Sequence, residues 1–402
     1  SYVGVFGVRK KILFLFDNFE LSGADRIAVD VARSLSERRV PVVLAVCMDV
    51  KASFSDFPEE LIRLSPSPSP LSNDHLIRRI WRGMLALVRC IGLARTTSII
   101  VCVTPPAAFI GLVASWVSGC TSIPWVHYDL SGMLREPLRT RGIARGMIQR
   151  LFYRYLVPLH RQLIFVSETS RQSMAAVARH GVVPSGWVVL PNIVNASDRA
   201  ARTHESASYA RVAMLKAQGS RILLFIGRIA RQKRWEDLVA AAELMDRQDS
   251  DYKLVIVGDG PEREELESAM SRSSSRNIVY LGVDQNPMPA LAIADAFVLT
   301  SLYEAWPTVI LEAFQLGIPV ISYDCPSGPG EMLGTGGARG WLVAETPTAL
   351  ALAAQLCLSN GMDKSRKRLD GARDYASQFF PSMAAAHWLR YLEEVQVTMR
   401  DE

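Results

Sequence analysis

The 402-residue sequence contains no Cys-x-x-Cys pair. Its six cysteines (Cys47, Cys90, Cys102, Cys120, Cys325, Cys357) stand far apart, and its six histidines lack metal-ligand spacing. This argues against a structural zinc site and leaves the cysteines as buried thiols of a reducing compartment. A strong excess of one charge is also missing. The net charge of +5 is too small to imply a nucleic-acid partner by itself. With 49% hydrophobic and 21% charged residues, the composition is that of a folded chain and not of a disordered one.

Membrane signals are incomplete as well. Lys10-Lys11 precede an apolar run, Ile12 to Phe16, which Asp17 ends too soon for a secretory core. Thr96 to Val126 holds no charged residue and is long enough to span a bilayer. Pro105-Pro106, Gly111, Gly119 and Pro124 cut it into strand, helix and strand, so a βαβ unit is expected there.

What is present is alternation. In the first half, Ile12–Phe16, Val42–Val46, Ile99–Val103, Ile123–Val126 and Leu163–Val166 read as strands, with helical patterns at Ala24–Leu35 and Ala107–Val117 between them. Continuous apolar strands separated by helices indicate a parallel sheet covered on both faces. Ser65 to Ser72 is Ser/Pro-rich and reads as a loop. Ala196 to Ser220 is polar and without strand character, and a domain junction is expected there. The alternation then restarts: strands at Ile222–Ile226, Lys253–Val257, Ile278–Leu281, Ala296–Leu299 and Val320–Ser322, helices at Trp235–Met245, Glu262–Met270, Met288–Ala294 and Thr308–Leu316. The length suits two domains. The expected fold is α/β, with two doubly wound, Rossmann-like parallel-sheet domains facing a central cleft at the carboxyl ends of their strands. The expected boundaries are 1–195, 196–380 and a closing helix within 381–402 that packs back on the first domain.

Five constellations could carry chemistry. Gly227-Arg228 ends a strand and Lys233 follows; glycine lets the backbone approach a ligand, and the two cations can neutralise a diphosphate. Read alone, they are solvated surface charges. Val257-Gly258-Asp259-Gly260-Pro261-Glu262 lacks the Gly-x-Gly-x-x-Gly spacing, which disfavours an NAD site and leaves a tight turn into a helix. Glu304 and Glu312, with seven residues between them, straddle a helix start. Pro307 suits the first helical turn, and free amides around Thr308 and Val309 could hold a phosphate. The plainer alternative makes both glutamates solvated. Asn18 to Arg26 is a strand-to-helix loop with Gly23 at its tip. His127 follows a strand and so stands at the rim of the cleft, although a lone histidine is often structural.

Taken together, these residues resemble the family 4 retaining glycosyltransferases of GT-B fold, over nearly the whole chain. Gly227-Arg228…Lys233 is similar to the family's phosphate-binding pair, Glu304 and Glu312 to its two-glutamate motif, and Ser98–His127 to part of its N-terminal domain. Ser22-Gly23-Ala24-Asp25-Arg26 looks like the family's Gly-Gly-Ala-Glu-Arg loop, with serine for the first glycine. The resemblance implies a metal-independent transferase without a cofactor. Arg228 and Lys233 would bind the donor diphosphate, Glu312 the ribose and Glu304 the donor sugar. Gly227 and the backbone of Ala305, Trp306, Pro307, Thr308 and Val309 would cup sugar and phosphate, Gly23 would approach the diphosphate, and His127 would contact the sugar. The Asp324 to Glu331 loop resembles that of members using uridine-diphosphate hexoses or N-acetylhexosamines, so a UDP-linked donor is expected.

The acceptor is addressed by charge. Arg139, Arg141, Arg145, Arg150 and Arg154 interleave with Ile143, Met147, Leu151 and Tyr155, four apart on one helical face. Such a basic amphipathic helix reads as a surface for anionic lipid, or else as a helix packed on the core. Arg78-Arg79, Trp81-Arg82 and Arg89 add a second basic, aromatic stretch. No nucleic-acid motif accompanies them. The expectation is a cytoplasmic enzyme, peripheral at the inner face of a bacterial cytoplasmic membrane, that acts on a lipid-linked glycan in surface polysaccharide or glycolipid assembly. The alternatives are a nucleotide-sugar epimerase or hydrolase of the same fold, and a catalytically silent sugar-nucleotide-binding subunit.

Overall fold

The computed structural model describes residues 11–19, 23–50, 61–66, 76–128, 147, 150–178, 182–247, 251–359 and 361–401. Two compact units divide the chain: Ser1–Ile193 together with Pro381–Glu402, and Val194–Phe380.

The first unit contains β1 (Lys11–Phe16), α1 (Gly23–Glu37), β2 (Val42–Val46), β3 (Leu61–Arg63), α2 (Leu76–Ala94), β4 (Thr97–Cys102), α3 (Pro105–Ser118), β5 (Thr121–Val126), β6 (Leu163–Phe165), α4 (Glu168–Ala178) and β7 (Trp187–Val189). Among the described residues its sheet has the order β3-β2-β1-β4-β5-β6-β7, and every pairing is parallel. The central strands are apolar throughout because both faces are covered: Ile12 to Phe16 and Ile99 to Cys102 are all buried. The uncharged stretch from Thr96 to Val126 is β4, α3 and β5. Pro105 and Pro106 open α3, where a missing amide hydrogen is harmless, and Gly119 closes it at φ 75°.

The second unit contains α5 (Ala196–Ala201), α6 (Tyr209–Ala217), β8 (Arg221–Ile226), α7 (Trp235–Met245), β9 (Tyr252–Val257), α8 (Arg263–Arg272), β10 (Ile278–Tyr280), α9 (Met288–Ala292), β11 (Ala296–Leu299), α10 (Thr308–Leu316), β12 (Val320–Tyr323), α11 (Pro329–Leu333), β13 (Trp341–Val343), α12 (Pro347–Ser359) and α13 (Gly361–Ser377). Its sheet, also parallel among the described residues, runs β10-β9-β8-β11-β12-β13. The polar stretch from 196 to 220 therefore carries two helices. Asn195 caps the first, accepting from the amide of Asp198.

The last helix, α14 (Pro381–Asp401), packs in the first unit. Trp388 is wholly buried between Trp125, 4.5 Å away edge-on, and Phe14, and its indole N–H donates to the carbonyl of Pro191 at 2.9 Å. Among the described residues no helix is long and apolar enough to cross a membrane.

Candidate functional site

In the second sheet the strand order reverses direction between β8 and β11. An open parallel sheet splays its loops apart at such a point, and ligands bind beyond the strands' carboxyl ends there. The loops leaving these two strands are Gly227–Arg234 and Thr300–Pro307, which carry two of the constellations read from the sequence.

Hydrogen bonds to backbone carbonyls tie the two loops together. Leu302 N–H donates to the carbonyl of Gln232 at 2.7 Å, Gln232 Nε2 to the carbonyl of Tyr303 at 2.9 Å, and Thr300 Oγ1 to the carbonyl of Lys233 at 2.6 Å. Across this seam Lys233 Nζ donates to Glu304 Oε1, which also accepts from Ser301 Oγ at 2.6 Å. Glu304 is only 8% exposed, so its charge is held by these partners and not by water. Arg228, in contrast, is exposed.

Glycines bring further backbone against these loops. A Cβ on Gly258 (φ 143°) would lie 1.8 Å from the carbonyl oxygen of Gly227. The Val257–Glu262 turn thus packs directly on the Gly227 loop, which explains its glycine without any dinucleotide. Gly328 (φ 73°) lies against Glu304 to Pro307: its Cβ would meet Pro307 Cδ at 2.8 Å. The 324–331 loop therefore backs the Glu304 loop.

Lys233 is followed by an unusual residue. Arg234 adopts the left-handed conformation (φ 46°, ψ 48°), which is strained for a side chain with Cβ. Its guanidinium is anchored on three sides: Asp237 at 2.6 Å, Glu345 Oε2 at 2.9 Å and the face of Tyr323 at 5.0 Å from the ring centre. The Tyr323 hydroxyl donates to the same Asp237 carboxylate at 2.9 Å. Burial and this carboxylate push the Tyr323 pKa well up, so the phenol stays a donor.

Helix α10 begins at Thr308. Pro307 is its N-cap residue and not part of its first turn, because ψ there is 95°, still extended. Among the described residues no side chain caps this end, and the amides of Thr308 and Val309 have no partner within the helix. Glu312, one turn on, is 7% exposed and pairs with Arg199 of α5 at 3.2 Å. The plain reading of both glutamates as solvated is therefore wrong. Ala305 and Trp306 are buried too, and the Trp306 ring lies 5.9 Å from that of Phe379, packing in its own unit.

In the first unit, Gly23 is the first residue of α1 and not the tip of a loop, and an added Cβ would meet nothing within 4 Å. His127 follows β5, its ring 4.4 Å from that of Trp125. Nε2 of His127 is buried without a hydrogen-bond partner among the described residues, and burial lowers its pKa to about 3, so the ring is neutral. Arg139, Arg141 and Arg145 lie outside the described residues. Arg154 is half-buried over the ring of Tyr155, while Met147, Leu151 and Tyr155 are exposed.

Sequence reasoning missed Ser301, Arg199 and the Arg234–Tyr323–Asp237–Glu345 cluster. Ser301 stands three residues before Glu304 and was findable as a loop hydroxyl. The others become partners only through tertiary contact. Among the described residues no three His, Cys, Asp or Glu side chains gather as metal ligands.

Residues 210–373 match the family described as Glycosyl transferases group 1. The chain is 36% identical over 113 residues to an uncharacterized glycosyltransferase of Methanocaldococcus jannaschii, covering 28% of each chain. It is 33% identical over 123 residues to the lipopolysaccharide 1,6-galactosyltransferase of Salmonella typhimurium, covering 29% of this chain and 33% of the other. The aligned regions thus span only about a quarter to a half of the first curated relatives, 28% and 47%. Among solved structures, Anabaena HepE in complex with UDP and glucose superposes with a TM-score of 0.75 at 18% identity, covering 96% of this chain and 100% of that one. That likeness shows the fold, the two-unit α/β architecture of GT-B proteins.

Proposed function

From the match of residues 210–373 to the group 1 glycosyl transferases, we propose that the chain is a retaining glycosyltransferase. Its donor is a UDP-linked hexose or N-acetylhexosamine, and its acceptor a lipid-linked glycan in bacterial surface polysaccharide or glycolipid assembly. The observation that carries this reading is the cluster of half-buried Lys233 with buried Glu304 and Ser301 at the reversal point of the second sheet, beside the uncapped start of α10. A cation, a carboxylate and free amides meet there, the set that a diphosphate bonded to a polyhydroxyl sugar requires.

In this mechanism the bond between the anomeric carbon and the β-phosphate oxygen breaks, and its electron pair stays on the diphosphate. Lys233, Arg228 and the amides of Thr308 and Val309 stabilise that charge as it develops, with no metal ion taking part. The acceptor hydroxyl adds to the same face of the sugar, and its proton passes to the departing phosphate. Glu304 binds sugar hydroxyls, Glu312 the ribose, and neutral His127 the donor sugar as an uncharged hydrogen-bonding group. The donor assignment draws on HepE, seen with UDP and glucose, and the acceptor class on the lipopolysaccharide galactosyltransferase. Arg150 and Arg154, with exposed Met147, Leu151 and Tyr155 among them, are assigned to the inner face of the cytoplasmic membrane, and Arg139, Arg141 and Arg145 join them by sequence.

The test is a panel of nucleotide sugars scored for binding and donor hydrolysis on wild type and Glu304→Ala. Selective turnover of one UDP-sugar, lost in the variant, is expected. Binding of no nucleotide sugar would overturn the transferase reading in favour of a silent subunit, and rearrangement of the sugar without transfer would favour an epimerase.

A further inference from the structure

Helices α2 and α3 both cover one face of the first sheet. The connections β3–α2–β4 and β4–α3–β5 run the same way across it, and right-handed crossovers place both helices on that side. They pack against each other and share one core cluster with β1 and β4. The residues they bury in that cluster are small, Ala86, Cys90 and Ala94 from α2 and Ala107, Ala108 and Ala114 from α3, with Ile91, Leu93 and Ile110 partly buried against it and Leu112 buried on α3. Seven other large apolar residues face outward. Ile80, Trp81, Met84 and Val88 on α2 and Phe109, Trp116 and Val117 on α3 are exposed, Trp116 by 69% and Val88 by 65%. Ile80, Met84 and Val88 follow one another at helical spacing, as do Phe109 and Trp116, so each helix presents a continuous apolar stripe.

Seven large apolar side chains on two adjoining helices make a patch that a soluble surface does not ordinarily leave bare. The surrounding charge identifies what covers it. From His75 to Tyr128 the sequence has five arginines and no aspartate or glutamate. Arg82 is buried and committed to Asp49 and Arg89 donates to the carbonyl of Leu64 at 3.2 Å, whereas Arg78, Arg79 and Arg95 are exposed on α2 and just beyond its end. An apolar centre with aromatic residues, bordered on the described residues of these two helices by cations and no carboxylate, is complementary to an acyl surface bordered by anionic headgroups. A symmetric pairing of two copies would bring arginine against arginine with no carboxylate of these helices to receive them. A nucleic-acid backbone would lay phosphates across the apolar centre.

We propose that the outer face of α2 and α3 is a docking surface for an anionic lipid bilayer, with Trp81 and Trp116 entering the headgroup layer. The partner rests on the membrane-facing reading given above; α2 carries the second basic, aromatic stretch of the sequence, the outer face of α3 joins it only in the fold, and the docking is independent of the sugar chemistry.

The experiment uses the full chain and vesicles of phosphatidylcholine alone or with 30% phosphatidylglycerol, read by co-sedimentation. Wild type is expected to bind the anionic vesicles at least tenfold more than the neutral ones, with binding weakened by salt. Met84→Glu and Trp116→Glu should each reduce binding at least tenfold, while Arg150→Glu with Arg154→Glu reports separately on the other basic surface. All these side chains except Arg150 and Arg154 are exposed, and circular dichroism and UDP-sugar binding of the variants without vesicles verify folding. Loss of vesicle binding with UDP-sugar binding intact is thereby distinguished from failure of the transferase reading. The proposal is overturned if wild type ignores anionic vesicles, if Met84→Glu and Trp116→Glu bind as wild type does, or if wild type is a dimer that Met84→Glu converts to monomer.

Discussion

Lys233 and Glu304 leave the ends of two neighbouring strands, β8 and β11, and are joined through Nζ and Oε1. The second unit thus holds a cation and a carboxylate in contact, so each fixes the other's position. A double-mutant cycle of Lys233→Met and Glu304→Gln, followed by urea unfolding, should return a coupling of about 0.5–3 kcal/mol. The two side chains keep 16% and 11% exposure, so screening draws the value toward the lower end. Additive single effects would mean that the pair is incidental.

Arg234 should discriminate between glycine and alanine. Both substitutions remove the anchors to Asp237, Glu345 and Tyr323, but only glycine adopts φ 46° freely. Arg234→Gly is expected to be more stable than Arg234→Ala by about 1 kcal/mol in denaturant melts. Equal stability of the two would show that the left-handed conformation carries no strain.

Gly258→Ala forces a methyl group to within 1.8 Å of the Gly227 carbonyl unless the turn retreats. A loss of about 1–3 kcal/mol is expected. Titration calorimetry with UDP should show weakened binding at the same time, because the displaced backbone carries Arg228 and Lys233. Unchanged UDP affinity would separate this turn from the site.

His127 supplies an acid-sensitive term. Its folded pKa, about 3, lies below the ordinary histidine value of 6.5, so the unfolded chain takes up a proton that the native chain refuses. The stabilising contribution is complete above pH 6.5 and is lost as the pH falls toward 3, with a slope approaching about 1.4 kcal/mol per pH unit. Burial lowers His160 in the same direction, so the comparison must be made against a variant. Unfolding free energies at pH 7.0 and 5.5 should differ less in His127→Gln than in wild type, and identical differences would dismiss the effect.

Some elements are legible to the residue. Trp235–Met245, Ala296–Leu299 and Thr308–Leu316 have the bounds read from the sequence, because glycine, proline or a sharp change of polarity marks each end. Strands β3, β7 and β13 are not legible although β6 and β10, equally three residues long, are: so short a strand displays no period, and its parallel neighbours define it. Helices α5 and α6 escape because they bury few residues apiece, leaving a sequence that reads as polar connection. At the site, Lys233 and Glu304 are visible as residues of the right type in two separate loops. That they touch depends on which strands become neighbours. Arg199 and Tyr323 acquire their partners in the same way, across more than eighty residues of chain.

Trp388 gives the chain's path a further meaning. It seats the last helix among Phe14, Trp125 and Pro191, and residues 194–380 intervene between two parts of one core. Val194 N–H donates to the carbonyl of Phe379 at 2.9 Å, so the intervening segment starts and finishes at one spot. It is in effect an inserted cassette, closed at its own neck. Removing the final twenty residues would therefore damage the amino-terminal half, hundreds of positions away, and spare the half that immediately precedes the cut.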